Sequence, residues 1–378
     1  MDRKKILVAM SGGVDSSVTA ALLVEAGHEV IGVTMKTFCY EGTPAHARSC
    51  CGLEGITDAR KVADRLGIPH YVFDVEEDFT RDVIDDFVSE YAQGRTPNPC
   101  VRCNSNTKFG DLLKRGKALG CQGIATGHYV RSGVDDQGNP ALFRGLDRKK
   151  DQAYFLWGLP SEILPLLHFP LGGLTKAQVR DRAREMDLVT AEKPESQEIC
   201  FVPTGDYRDL LRTRLQNRHP ALEPGPIVDL SGQVVGEHQG YAGFTVGQRK
   251  GLGGGFDEPH YVIRVKPETR TVVVGPRWAL EARGLEVDDL NWLLGPPAPG
   301  EEVSIQIRHG ATATPARVDE SSPSEMTLEL VEPQSAVTPG QSCAVFRGEQ
   351  LLGGGRIRQP LQNLTGRTGV QAQTPVKV

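Results

Sequence analysis

The chain opens on an unbroken apolar run, Ile6-Leu7-Val8-Ala9-Met10, the pattern of a short parallel strand covered on both faces. The apolar positions that follow, Val14, Val18, Ala21 and Leu22, fall on one helical face and stop at Gly27. The alternation then repeats. Strand patterns occupy residues 30–35 and 71–75, with a helical pattern over 56–66 between them, stopped by Gly67. A long amphipathic helix is predicted over 79–91, another helix over 112–119, and a short strand over 123–126 that runs into Gly127-His128. A further helix starts at Thr175, where Thr175 and Gln178 have the spacing of a capping box. This rhythm predicts an α/β fold with a doubly wound parallel sheet. Ligands in such sheets bind beyond the carboxyl ends of the strands, which puts the Ser11 loop, Met35 and Gly127-His128 on one rim.

Around residues 220–226 the texture changes. Short β-rich runs at 262–265, 271–274, 303–307 and 344–346 alternate with Gly and Pro, and helical periodicity is scarce. The expected organisation is a catalytic domain over 1–209, a small central domain over 210–280, a C-terminal β-barrel over 281–360 and a disordered tail over 361–378.

Composition narrows the class without choosing a function. The 378 residues suit two or three domains, 39% are hydrophobic, and the mean hydropathy is −0.31. No run approaches the ~18–20 apolar residues of a membrane span, and Met1-Asp2-Arg3-Lys4-Lys5 begins no apolar leader segment, so a cytoplasmic enzyme with no membrane partner is expected. The net charge of −5 gives no global nucleic-acid signal. Locally the balance reverses: residues 95–117 hold six Lys/Arg against one acidic residue, and residues 144–150 and 347–377 are also basic. Such stretches can follow a phosphate backbone, or simply be solvated surface.

The chemistry begins at Ser11-Gly12-Gly13-Val14-Asp15-Ser16-Ser17. A strand, a glycine-hydroxyl turn and a helix N-terminus together form an anion site, with backbone N–H groups, hydroxyls and the helix dipole aimed at a phosphate. Asp15 suits that site if a divalent cation, here Mg2+, bridges it to the phosphates. No Gly-Lys-Ser/Thr follows, so the Walker pattern is excluded.

Eight cysteines in such a chain do not suggest a disulfide framework. Cys100 and Cys103 form a Cys-x-x-Cys after Arg95-Thr96-Pro97-Asn98-Pro99, a loop stiffened by two prolines. Arg102 between the thiols and Lys108 beyond them make an electropositive setting. Cys200 sits in the short run Ile199-Cys200-Phe201. Cys39, Cys50, Cys51, Cys121 and Cys343 read as packing residues. A single Cys-x-x-Cys is ambiguous among zinc, iron–sulfur and redox uses; with Cys200 it makes a trio that suits a catalytic iron–sulfur cluster with one open iron.

Ser11–Ser17 resembles the PP-loop of enzymes that split ATP between its α and β phosphates. Taken with GRTPNPCVRCN, ATGHYVR, DQAYFL, EICF, GEHQGY, FTVGQRKGLGGG and PGQSCAVF, the chain resembles the tRNA-specific 2-thiouridylases to about residue 358. The resemblance implies an ATP-dependent sulfurtransferase that adenylates the 2-oxygen of the wobble uridine in tRNAs for Lys, Glu and Gln, then displaces AMP with sulfur. It assigns ATP binding to Ala9, Met10, Ser11, Gly12, Gly13, Val14, Asp15, Ser16, Met35 and Gly127. It assigns catalysis to Cys103 and to Cys200, the persulfide carrier, with Cys100 where many members have aspartate. A thiolate there is softer and suits iron, so the three cysteines resemble members with a proposed 4Fe-4S cluster, and the cluster route stands slightly ahead of the persulfide route. The implied tRNA contacts, made by the anticodon arm with its target base flipped out, are Asn98, Pro99, Cys100, His128, Lys149, Lys150, Asp151, Arg308, His309 and Gln341. The implied sulfur source is a cysteine desulfurase or a sulfur-relay protein. Two rival readings are another PP-loop enzyme, such as an argininosuccinate or GMP synthetase, and a metal-stabilised RNA-binding module.

Overall fold

A computed structural model describes residues 3–38, 53–195, 199–202, 205–216, 219–252 and 258–362. Its first part contains β1 (Lys5–Ala9), β2 (Glu29–Lys36), β3 (His70–Asp74), β4 (Gly123–Ala125), the hairpin strands β5 (Val130–Val134) and β6 (Pro140–Arg144), and β7 (Leu167–His168). Five of these form a parallel sheet in the order β3-β2-β1-β4-β7. The central strand explains its sequence. Ile6 and Val8 enter a core under the helices Val14–Glu25 and Lys176–Glu185, while Leu7 points to the opposite core with Phe109 and Leu112. Side chains alternate across a strand, so an unbroken apolar run is what a sheet covered on both faces requires.

The expected α/β doubly wound sheet is therefore present, and the capping box forms. The Thr175 hydroxyl accepts from the Gln178 N–H at 3.3 Å, and the Gln178 side chain accepts from the Thr175 N–H at 2.8 Å. Two helical stretches depart from the expectation. Residues 76–92 contain a π-helical turn at Thr80–Ile84, and a second helix already begins at Pro99 and passes through a π-helical turn at Cys103–Lys108. The stiff loop ends at Asn98, because Pro99 occupies the first helical position, where its missing N–H costs nothing. π-turns of this kind recur at functional sites.

The central strands β8 (Gly225–Val228), β9 (Val234–His238), β10 (Tyr261–Lys266) and β11 (Thr271–Gly275) form a second sheet in the order β10-β11-β8-β9. Its Ile227, Val262, Val272 and Val274 share one core with Phe79, Phe87 and Tyr91 of residues 76–92. The last six strands, β12 (Glu281–Trp292), β13 (Glu302–Gln306), β14 (Thr314–Ser321), β15 (Met326–Ser335), β16 (Ser342–Arg347) and β17 (Gln350–Leu361), close into an antiparallel barrel through β12–β17 pairing. Cys343 lies in the barrel core, where burial pushes its thiol up to about 12. The tail expected to be disordered lies outside the described residues from 363 onward, as do Cys39, Cys50 and Cys51.

The hairpin β5–β6 was not anticipated. It extends the barrel sheet, with Phe143 and Leu142 paired to Gln350 and Leu351 at the start of β17. Its alternation is short and its loop polar, so nothing local announced a partner some 200 residues downstream.

Candidate active site

The nucleotide loop leaves the end of β1. Met10 is buried, and its N–H donates to the Val33 carbonyl at 2.7 Å. Gly12 takes φ +72°, and a Cβ there would collide with the Gly55 carbonyl oxygen, so both its conformation and its neighbour require glycine. Gly13 precedes the first helical residue, Val14, and among the described residues no side chain caps the helix N-terminus, whose N–H groups can therefore serve a ligand. The hydroxyls of Ser16 and Ser17 donate back to the Gly13 carbonyl at 3.1 and 2.8 Å, and the Ser11 N–H donates to the Ser16 oxygen at 3.2 Å. These bonds fix the turn. Gly127 packs against the same turn so closely that a Cβ would come within 2.9 Å of Asp15 and Ser16 backbone atoms. Met35 is half-buried on β2, against the core that holds Leu7 and Phe109.

Asp15 is engaged by partners that sequence reasoning did not supply. Its carboxylate accepts from Lys176 Nζ at 2.8 Å on both oxygens and from the Tyr129 hydroxyl at 2.7 Å. Lys176 also reaches Glu195 at 3.0 Å, and Glu195 pairs with Lys150 at 2.6 Å. The two lysines hold the Glu195 carboxyl below its usual range against the opposing effect of burial. Lys176 is the residue after the capping threonine, so the sequence located it on a helix without indicating that it faces the loop.

The cysteines separate into a pair and an outlier. Cys103 and Cys200 pack against the same aromatic core, which contains Phe79, Phe87 and Phe201. Phe201 meets Phe79 and Phe87 edge-on at 5.8 and 5.2 Å. Cys100, one helical turn before Cys103, is exposed. Among the described residues no three His, Cys, Asp or Glu side chains form a group able to hold a metal ion, so the expected Cys100, Cys103 and Cys200 ligand set is not assembled. Arg102 likewise does not turn its charge on the thiols, because it pairs with Asp289 and approaches Asp86 at 3.6 Å.

The residues expected at the tRNA divide in the same way. Asn98 hydrogen-bonds Tyr154, whose hydroxyl donates to the Ser342 carbonyl at 3.3 Å. His309 stacks obliquely on Phe155 at 4.7 Å, and Arg308 donates to the Ser335 carbonyl at 3.1 Å. Gln341 donates to the Thr96 and Pro97 carbonyls at 2.8 and 3.1 Å, tying the barrel to the loop that leads into Cys100. Asn98, Pro99, Cys100, His309 and Gln341 therefore gather at the seam between catalytic domain and barrel. His128 is instead interior, 9% exposed, between Phe109 and Phe169, with its ring bonded to Thr126 at 2.7 Å. Burial, with a smaller push from Lys108, holds its pKa well below the usual range. Asp151 is also interior, capping the Gly145 and Ala153 N–H groups and pairing with Arg144 at 2.8 Å. Of the basic run 144–150, Arg144 stacks on Phe346 at 3.6 Å and Arg148 pairs with Glu349. Among the described residues, Lys149 alone of the four cations of that run is in no ion pair.

A parallel sheet with a glycine turn and a helix N-terminus after its central strand, joined to two β-rich units, defines the class: a nucleotide-binding α/β domain carrying two β-rich domains. The profile described as "tRNA methyl transferase HUP domain" matches residues 4–204, "tRNA methyl transferase PRC-barrel domain" 212–276 and "Aminomethyltransferase beta-barrel domain" 282–357. A tRNA-specific 2-thiouridylase from Carboxydothermus hydrogenoformans is 51% identical over 95% of this chain and 99% of its own. One from Thermus thermophilus is 50% identical over 98% and 99%, and one from Rhodospirillum centenum 46% over 93% and 91%. The chain belongs to the tRNA-specific 2-thiouridylase family. No helix among the described residues is long and apolar enough to cross a membrane.

Proposed function

We propose that this enzyme uses ATP to replace the 2-oxygen of the wobble uridine by sulfur in tRNAs for lysine, glutamate and glutamine, through a persulfide on Cys200. The uridine oxygen attacks the α-phosphorus; a P–O bond forms, and the bond to pyrophosphate breaks. This turns a poor leaving group into AMP. With ATP in the loop, the helix N-terminus at Gly13 and the cation of Lys176 would face the phosphates, on which charge accumulates. Asp15 would hold Mg2+ beside them, consistent with a site in which one or two carboxylates and the substrate's phosphates share the ion, and the ion would screen phosphate charge. Lys176 then leaves Asp15 for the phosphates, while Glu195 keeps it within reach.

The Cys200 persulfide, loaded by a cysteine desulfurase or a sulfur-relay protein, attacks C2, and AMP departs with the former 2-oxygen. The Cys103 thiolate attacks the Cys200 sulfur and breaks the S–S bond. 2-Thiouridine leaves, and a Cys103–Cys200 disulfide remains for an external dithiol to reduce. The observation that carries this reading is that Cys103 and Cys200 share one aromatic core while Cys100 is exposed. The profile descriptions name methyl transfer, but a thiol pair of this kind suits sulfur transfer.

The test supplies iron-free enzyme with total tRNA, ATP, Mg2+, a cysteine desulfurase, L-cysteine and a dithiol reductant, and measures tRNA-dependent AMP and 2-thiouridine. Full thiolation is expected, with Cys103→Ser and Cys200→Ser inactive and Cys100→Ser retaining activity. Absence of tRNA-dependent AMP would remove the whole reading, and an absolute requirement for iron would replace the persulfide by a cluster.

A further inference from the structure

We infer that Asp289, on the first barrel strand, is a positioning residue for the Cys103 thiol and acts through Arg102; this rests on the reading of Cys103 as the thiol that attacks Cys200. Arg102 closes the helical turn begun by Pro99, and Cys103 opens the π-helical turn that follows. The direction of the Cys103 side chain therefore depends on where Arg102 is anchored. Its guanidinium does not anchor within its own segment. It crosses to the barrel, pairs with Asp289, and meets Asp86 of the catalytic domain at 3.6 Å.

The barrel is shaped to present that carboxylate. Asp289 lies where the β12–β17 register slips between Asp288 and Asn291, and it takes φ +50°. Aspartate is among the few non-glycine residues that enter the left-handed region readily, and bulges of this kind re-aim a side chain. Two residues on, Asn291 donates to the Trp157 and Leu159 carbonyls at 2.6 and 2.9 Å, so the bulge is fastened to the catalytic domain. Arg356, buried on β17, binds Asp86 at 2.5 Å, Glu90 at 2.8 Å and Asp289 at 3.4 Å, and Arg95 pairs with Glu90. Arg102 and Arg356 thus share both Asp86 and Asp289. Arg95, Arg102, Asp289 and Arg356 border a cleft of about 480 Å³, which leaves Arg102 room to swing away once the Asp289 carboxylate is removed.

Asp289→Asn and Arg102→Gln, singly and together, test the assignment. In the desulfurase-coupled assay each single variant should lower kcat for 2-thiouridine about tenfold or more, with KM for tRNA and the first-turnover release of pyrophosphate unchanged, and the double variant should be no worse than either single one. Independently of tRNA and ATP, diamide should form the Cys103–Cys200 disulfide several-fold more slowly in each variant, read by peptide mass spectrometry. Additive losses, a raised KM with kcat intact, or unchanged diamide rates would overturn the inference. Should Asp289→Asn fail to fold, Arg102→Gln carries the same two measurements. Wild-type enzyme that makes no 2-thiouridine while the diamide effect persists would sink the proposed function and leave the positioning role standing.

Discussion

Replacing Gly127 by alanine tests whether the end of β4 sets the place of the nucleotide loop. The added Cβ would lie 2.9 Å from the Asp15 carbonyl carbon and the Ser16 nitrogen, and 3.0 Å from Asp15 Cβ. Ordinary contact begins near 3.4 Å, so the first helical turn must retreat by roughly half an ångström. It cannot do so alone, because Asp15 is bonded to both Lys176 and Tyr129. Overpacking of this kind costs about 1–3 kcal/mol, enough to lower the melting temperature by several degrees. The same displacement moves the N–H groups that face the phosphates. An error of about 1 Å in such a site can cost ~100-fold in rate, so tRNA-dependent pyrophosphate release should fall about tenfold. Gly13→Ala is the control. Its Cβ would touch only the Ser11 hydroxyl at 3.5 Å, so the fold should keep its stability within about 0.5 kcal/mol while ATP use drops, because the methyl group stands beside the helix N-terminus. A Gly127→Ala enzyme that melts and releases pyrophosphate like the wild type would refute the reasoning.

Three further outcomes are expected. Lys176→Met should lower pyrophosphate release ~10²–10³-fold, with Lys176→Arg recovering part of it; activity within threefold of wild type would argue against a phosphate-facing role. Arg356→Met should destabilise the protein by about 3–5 kcal/mol in denaturant titrations, since Asp86 and Glu90 lose their shared cation, and a loss under 1 kcal/mol would contradict that. His128 has its pKa lowered by burial, so the unfolded chain takes up its proton near 6.5 and the folded chain only at lower pH. Stability from this site is complete above about pH 6.5 and drains as the pH falls toward the depressed value, by up to roughly 1.4 kcal/mol per pH unit. Urea titrations at pH 7.5 and 5.5 should show that loss, smaller in His128→Gln; equal sensitivity in both proteins would exclude His128 as its source.

The elements that could be read from the sequence are those with a local cause. Ile6–Met10, the loop after it and the Thr175 cap announced themselves because apolar continuity, glycine and capping chemistry act within a few residues. What could not be read depends on distant partners. Lys176 looks like any first-turn lysine until the fold sets it against Asp15, and Arg102 looks like a cation for the thiols until Asp289 arrives from the barrel. His128 and Asp151 carry polar side chains in motif segments, yet the aromatic rings around one and the N–H groups around the other turn both inward. The helix start at Pro99 was hidden by the prolines, which signal a stiff loop and a helix beginning equally well.

The hairpin β5–β6 acts as a gauge. Gly127 touches Asp15 and Ser16, Tyr129 bonds Asp15, and within the next 15 residues the same segment is a strand of the barrel sheet. The span from the nucleotide loop to the barrel is thus set by a short β-ladder and not by a tether between folded units. A residue inserted at the hairpin tip around Gly138 would change nothing in that span. One inserted between Tyr129 and Val130 would shift the barrel relative to the loop. A barrel expressed from residue 281 onward would lack two strands of its own sheet and leave the Gln350 end of β17 an open edge, so the C-terminal unit borrows its completeness from the first domain.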